Sequence, residues 1–164
     1  MGLPPGRPGA NFTRFDHLVS AVSELDRATN SYRSFGFNFS PGGRHERYGT
    51  HNALIRFGGA AYVELLGVQD AEKLVESAFS VRTLAEFVRD RDEGLVGHCY
   101  ATDDIAPGAA RVSEAGIEIG GPFRGVPRVA RRPDAGLTLD GARGRPVAPP
   151  VAFITEWDDP DEER

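Results

Sequence analysis

Two histidines and two glutamates recur at matching places in two halves of the chain. The first half carries Phe15-Asp16-His17-Leu18-Val19 and later Tyr62-Val63-Glu64-Leu65-Leu66. The second carries Val96-Gly97-His98-Cys99-Tyr100 and later Phe153-Ile154-Thr155-Glu156-Trp157. Two imidazoles with two carboxylates suit a borderline or hard divalent ion such as Zn, Ni, Co, Mn or Fe(II). The glutamates neutralise the ion, and positions stay open for water or two substrate oxygens. Such an ion is a Lewis acid toward an enediolate or another oxyanion. A loosely held carboxylate, Glu64 or Glu156, then serves as general base. The expected metal set is His17, Glu64, His98 and Glu156. Blander readings exist for each member: a satisfied core histidine for His17 or His98, pairing with Arg56 for Glu64, and membership of the acidic tail for Glu156.

The elements that must position these groups repeat as well. After His17, Ser23 with Asp26 three residues on is a helix-start signal. Leu25, Ala28, Tyr32 and Phe35 follow at helical spacing, and Gly36 closes the helix. Phe37–Phe39 alternates as a short strand, Pro41-Gly42-Gly43 reads as a turn, and Asn52–Phe57 and Ala61–Gly67 are strands joined by Gly58-Gly59. In the second half a strand over Leu95–Thr102 leads to a helix capped by Asp104, with Ile105, Ala109 and Val112 on its apolar face and Gly116 at its end. Ile117–Ile119, Gly120-Gly121-Pro122, Leu137–Leu139 and Val151–Trp157 complete the set. His17 lies 19 residues before Gly36, and His98 lies 18 before Gly116. The His-to-Glu interval is 47 residues in the first half and 58 in the second, and the Gly- and Pro-rich stretch 141–150 absorbs the extra 11. The expected organisation is a lead-in over 1–12, one βαβββ module over 13–68, a helical linker over 69–94, a second module over 95–157, and an acidic tail over 158–164.

Composition narrows the function. The chain has 164 residues and a net charge of −5. The tail 158–164 holds five acids and one arginine, so the body is close to neutral, which argues against a nucleic-acid partner. Nothing resembles the ~20-residue apolar stretch of a membrane span, and the first residues lack the apolar stretch of a secretory signal. The single cysteine, Cys99, precludes an intrachain disulfide and suits a reducing cytoplasm. In a strand it should face away from His98.

Around the four candidates, His45, His51 and Asn52 read as a polar loop or as donors at a cavity rim, with His51 and Asn52 the expected substrate contacts. Arg131 and Arg132 are the others, since a guanidinium suits bidentate binding of a carboxylate or phosphate. Tyr62, Tyr100, Phe153 and Trp157 read as core.

The repeated module, with His on its first strand and Glu on its last, resembles the vicinal oxygen chelate superfamily, and within it the glyoxalase-like domain family. The stretches that carry the resemblance are Phe15–Val19, Pro41–His45, Gly49–Leu54, Tyr62–Leu65, Thr102–Ile105 and Phe153–Trp157. It implies an α+β fold of two tandem βαβββ modules forming a cupped mixed sheet. It implies a divalent metal on His17, Glu64, His98 and Glu156, and lyase or isomerase chemistry on a small substrate with vicinal oxygens. The superfamily also contains metal-free binding and resistance proteins and Fe(II) extradiol dioxygenases, which stand as alternatives. It builds its cavity within one chain or between two, so a homodimer is a possible partner arrangement.

Overall fold

The computed structural model describes residues 12–46, 48–76, 79–116, 118–124, 133–140 and 151–157. The first module is β1 (Phe12–Val22), α1 (Leu25–Ser34), β2 (Phe39–His45), β3 (Thr50–Arg56) and β4 (Tyr62–Val68). Two linker helices follow, α2 (Ala71–Glu76) and α3 (Phe79–Arg91). The second module is β5 (Glu93–Thr102), α4 (Ile105–Glu114), β6 (Glu118–Arg124), β7 (Pro133–Asp140) and β8 (Val151–Trp157). All eight strands join one sheet in the order β2-β3-β4-β1-β5-β8-β7-β6. Each module closes with a parallel pair, β1 with β4 and β5 with β8, and the modules meet through the antiparallel pair β1–β5. This is the expected α+β architecture. Residues 1–11, 141–150 and 158–164 lie outside the described residues.

Local signals held in part. Asp104 caps α4, its side chain accepting from Ala106 N at 3.2 Å. Gly36 and Gly116 follow the C-termini of α1 and α4 with φ of 93° and 80°, the left-handed conformation that glycine adopts at no steric cost. Ser23, the expected N-cap of α1, is drawn elsewhere: its hydroxyl donates to the Asp92 carboxylate and its N–H to Asp92 O, tying the start of α1 to the end of α3. Pro41-Gly42-Gly43 is not a turn. It lies inside β2, where the pairing with β3 slips between Pro41 and Arg44, a β-bulge. Pro133-Asp134 begins β7.

The two faces of the sheet are covered differently. On one face α1 packs Leu25 and Ala28 on Val22 and Leu65, and α4 packs Ile105, Ala109 and Val112 on Ile154. On the other, α3 sets Leu84 against Val19, Ala21 and Val96 along the β1–β5 seam. We call the α1/α4 side outer and the α3 side inner. Leu65 is wholly buried at the centre of the first outer layer. Leu65→Ala leaves a cavity there and is expected to cost about 2–5 kcal/mol, read as a lowered melting temperature.

Candidate functional site

The pairing of β1 with β5 decides which residues share the inner face. Phe15 lies opposite Tyr100, His17 opposite Cys99, Leu18 opposite His98, and Val19 opposite Gly97. Between Phe15 and His17 the register shifts, and Asp16 is the extra residue. A bulge turns two successive side chains to one side. Asp16, His17 and Cys99 therefore all face inward, with ligand atoms within 4.8 Å of one another. A second shift, between Val19 and Ser20, makes Val96 the corresponding extra residue on β5.

Glu64 reaches the same place from β4. His17 pairs with Tyr62 in the parallel β1–β4 ladder, and the two rings stack with centroids 4.4 Å apart. Two residues on, Glu64 faces inward as well and brings Oε2 to 3.8 Å from His17 Nε2. This is too long for a hydrogen bond.

Each member of the pair is held from behind. Asp16 is wholly buried, accepts an ion-paired contact from Arg14 Nη1 at 2.6 Å, and accepts the Nδ1–H of His17 at 2.7 Å. The carboxylate so fixes the ring, with Nε2 turned toward Glu64. Glu64 Oε1 accepts from Asn52 Nδ2 at 2.6 Å, and Asn52 Oδ1 accepts the Gly43 N–H at 2.6 Å. In the neutral imidazole both facing atoms, Nε2 and Oε2, are acceptors, so a proton or a hydrogen-bond donor between them satisfies both. His17 and Glu64 keep 13% and 14% of their side-chain surface.

The electrostatics around the pair are set by burial. Burial, with Glu64 and Asp16 nearby, holds the Tyr62 phenol well above its ordinary pKa, so it stays a neutral donor. Burial, then Asp16 and Glu64, also pushes the Cys99 thiol up. A thiol held protonated is neither a nucleophile nor a ready metal ligand.

The second pair of candidates does not join the first. An offset of 80 residues carries Leu25 to Ile105 and Gly36 to Gly116, the matched ends of α1 and α4. It also maps the β1–β5 register onto itself, with Leu18 equivalent to His98 and His17 to Gly97. His98 is thus one residue out of place and faces outward, its ring edge-on to Tyr100 at 5.5 Å. The β1–β4 and β5–β8 ladders make Phe153 the equivalent of Glu64, and Glu156 the equivalent of Gly67. Glu156 Oε2 accepts the N–H of Ile105 at 3.0 Å, at the start of α4 on the outer side. Neither Gly97 nor Phe153 carries a side-chain atom that ligates a divalent ion.

The structure divides the expected four-ligand set. His17 and Glu64 meet, while His98 and Glu156 belong to the other face. Among the described residues, the set of three that closes is Asp16, His17 and Cys99. There the Asp16 oxygens are engaged by Arg14 and His17. Among the described residues, the donors on this face therefore do not make up the expected four-ligand divalent centre.

The expected substrate contacts also divide. Asn52 is inward, on Glu64. His51, its neighbour on β3, is outward: a Cβ added at Gly67 would meet His51 Nε2 at 2.7 Å and Leu25 Cβ at 3.0 Å. Arg131 and Arg132 lie outside the described residues. Arg56 sits over the Tyr62 ring at 5.9 Å rather than on Glu64. Asp16 and Tyr62 went unrecognised as site residues. A charged residue beside His17 in an otherwise apolar strand was the available signal for Asp16, and Tyr62 became visible only through its pairing with His17.

Comparison with known proteins agrees with this fold. Residues 15–164 match the family described as glyoxalase-like domain. Methylmalonyl-CoA epimerase from Mycobacterium tuberculosis superposes with a TM-score of 0.67 at 19% identity, over 90% of this chain and 89% of that one. Streptomyces coelicolor methylmalonyl-CoA epimerase in complex with 2-nitronate-propionyl-CoA gives 0.66 at 21% identity, over 89% and 95%. A hypothetical protein from Staphylococcus aureus gives 0.70 at 25% identity, over 90% of this chain and 60% of that one. No curated protein matches the sequence. The chain belongs to the glyoxalase-like domain family and has the vicinal oxygen chelate fold.

Proposed function

We propose that this chain is a small glyoxalase-like enzyme of isomerase or lyase type, acting through His17 and Glu64. It moves a proton at a carbon beside a carbonyl in a small substrate with neighbouring oxygens. The reading rests on one observation: two basic atoms, His17 Nε2 and Glu64 Oε2, face each other 3.8 Å apart, each fixed by a hydrogen bond on its far side. Glu64 Oε2 takes the proton from carbon, and the C–H electron pair passes into the carbonyl as an enolate. His17, when protonated at Nε2 with its charge offset by Asp16, donates to the enolate oxygen. Protonation of the enolate from its other face by water, with Glu64 giving its proton up to solvent, epimerises the centre. Return of the proton to the adjacent carbon, after proton shift between the oxygens, isomerises it.

A divalent ion is expected from the family resemblance. The four-ligand form does not fit these residues, and no step above needs it. Protein prepared without chelators is expected to carry well under one equivalent of divalent ion, and His98→Ala is expected to leave both metal content and turnover unchanged. A stoichiometric ion that is lost on substitution of His98 or Glu156 would overturn this.

Methylmalonyl-CoA, named in the structural neighbours, is the first substrate to test, followed by the hemithioacetal of methylglyoxal. Incubation in D2O, read by mass spectrometry, is expected to show deuterium entering beside the carbonyl. Absence of exchange with both compounds and with related 2-oxo and 2-hydroxy acids would remove the enzyme reading. The lack of donors at Gly97 and Phe153 favours a second reading, a metal-free protein that sequesters a small molecule. It predicts ligand-induced thermal stabilisation that EDTA does not change, without deuterium exchange. The dioxygenase alternative needs two inner histidines, and Gly97 stands where the second would be. A homodimer and a cytoplasmic location complete the proposal.

A further inference from the structure

We infer that Asn52 is a positioning residue for Glu64, an inference that rests on the reading of Glu64 as the base. The orientation of the Asn52 amide is fixed by chemistry. The Gly43 N–H can only donate, so the atom it meets at 2.6 Å is the amide oxygen, and the NH2 is left to donate to Glu64 Oε1 at 2.6 Å. Both contacts lie at the short end of the N–H···O range.

The bulge in β2 makes this clamp possible. A Cβ on Gly42 would stand 2.0 Å from Asn52 Oδ1 and 2.1 Å from Asn52 O, so only glycine lets the β2 backbone close over the amide. The Gly-Gly pair thus acts at a distance. It presses the N–H of Gly43 onto Asn52, which holds one oxygen of Glu64 and leaves the other facing His17. A carboxylate on two rotatable bonds beyond Cβ would otherwise swing between rotamers at the mouth of the site. His17 is held in the same manner by Asp16, so the two facing atoms are clamped from opposite sides by Asp16 and Asn52.

The test replaces the donor without changing the shape. Asn52→Asp puts a second carboxylate against Glu64 in place of a donor, and two acceptors of like charge repel at that distance. The crystal structure of Asn52→Asp is expected to show the Glu64 carboxylate turned away from residue 52, breaking the contact made in the parent. Asn52→Ala, which removes the donor without adding charge, is expected to lower kcat roughly 10- to 100-fold with KM little changed. Its crystal structure is expected to show Glu64 Oε2 displaced from His17. A Glu64 carboxylate left undisturbed in the crystal structure of either variant overturns the inference. The two crystal structures need no substrate. If the parent turns over nothing while both respond as expected, the enzyme reading fails and the positioning role stands.

Discussion

Glu64→Gln is expected to abolish most turnover, by about 10²- to 10⁴-fold in kcat, while leaving the protein folded. Gln is isosteric, and its amide oxygen can still accept from Asn52 Nδ2, so the clamp on the inner face survives. What disappears is the atom that takes the proton. Glu64 lies 14% exposed in a strand whose next residue, Leu65, is fully buried, so the backbone register there is strongly held and the change stays local. The measurement is deuterium exchange in D2O beside a thermal melt. Exchange at the parent rate in Glu64→Gln would mean that another group is the base. Glu156→Gln supplies the contrast: its carboxylate serves the N-terminus of α4, so a small loss of stability is expected and no loss of exchange.

Asp16→Asn is expected to damage both stability and activity. The carboxylate is wholly buried between Arg14 and His17, and removing one partner of a buried charge pair costs several kcal/mol. About 3 kcal/mol is the expected loss, at the lower end because Arg14 keeps 19% of its side-chain surface in water. For a domain of this size that corresponds to a melting temperature lowered by roughly 6–12 °C. Activity falls further, since an amide in place of the carboxylate no longer dictates which nitrogen of His17 carries the proton. In a serine protease triad the equivalent exchange costs about 10⁴-fold. Here a loss of 10²-fold or more is expected, because His17 serves the oxyanion rather than the base. Asp16→Asn with a parental melting temperature and parental exchange would show that the buried carboxylate is neither structural nor orienting.

Much of the fold was legible because its signals are local. Ile105, Ala109 and Val112 at helical spacing form a buried stripe because a helix returns the same face every three to four residues. Gly36 and Gly116 mark helix ends because the left-handed conformation there suits glycine. The 3.6- and 2-residue periods and the end signals were enough for two βαβββ modules. Ser23 and the Pro41-Gly42-Gly43 stretch misled for the same reason: each is a good local signal overruled by a distant partner, Asp92 in one case and Asn52 in the other.

The site was half legible. The spacing already held a warning, since His17 precedes its helix-ending glycine by 19 residues and His98 by 18. In a strand a one-residue slip is not a small error. Side chains alternate, so it moves a residue to the opposite face. Measured from Gly36 and Gly116, the equivalent of His17 is Gly97, and His98 falls with Leu18 on the outer side.

The sequence by itself therefore determined the kind of elements, their order and their duplication, because helix and strand periods and glycine end signals act over a few residues. It also marked His17 and Glu64 as unusual polar groups in apolar strands. Only the tertiary structure decided which polar groups share a face. The bulge at Asp16 brings two successive side chains inward, the β1–β5 register sets His98 outward, and the β2 bulge closes on Asn52. Each of these depends on pairing between strands remote in the chain, where one extra residue reverses every side chain beyond it, and no local propensity records that choice.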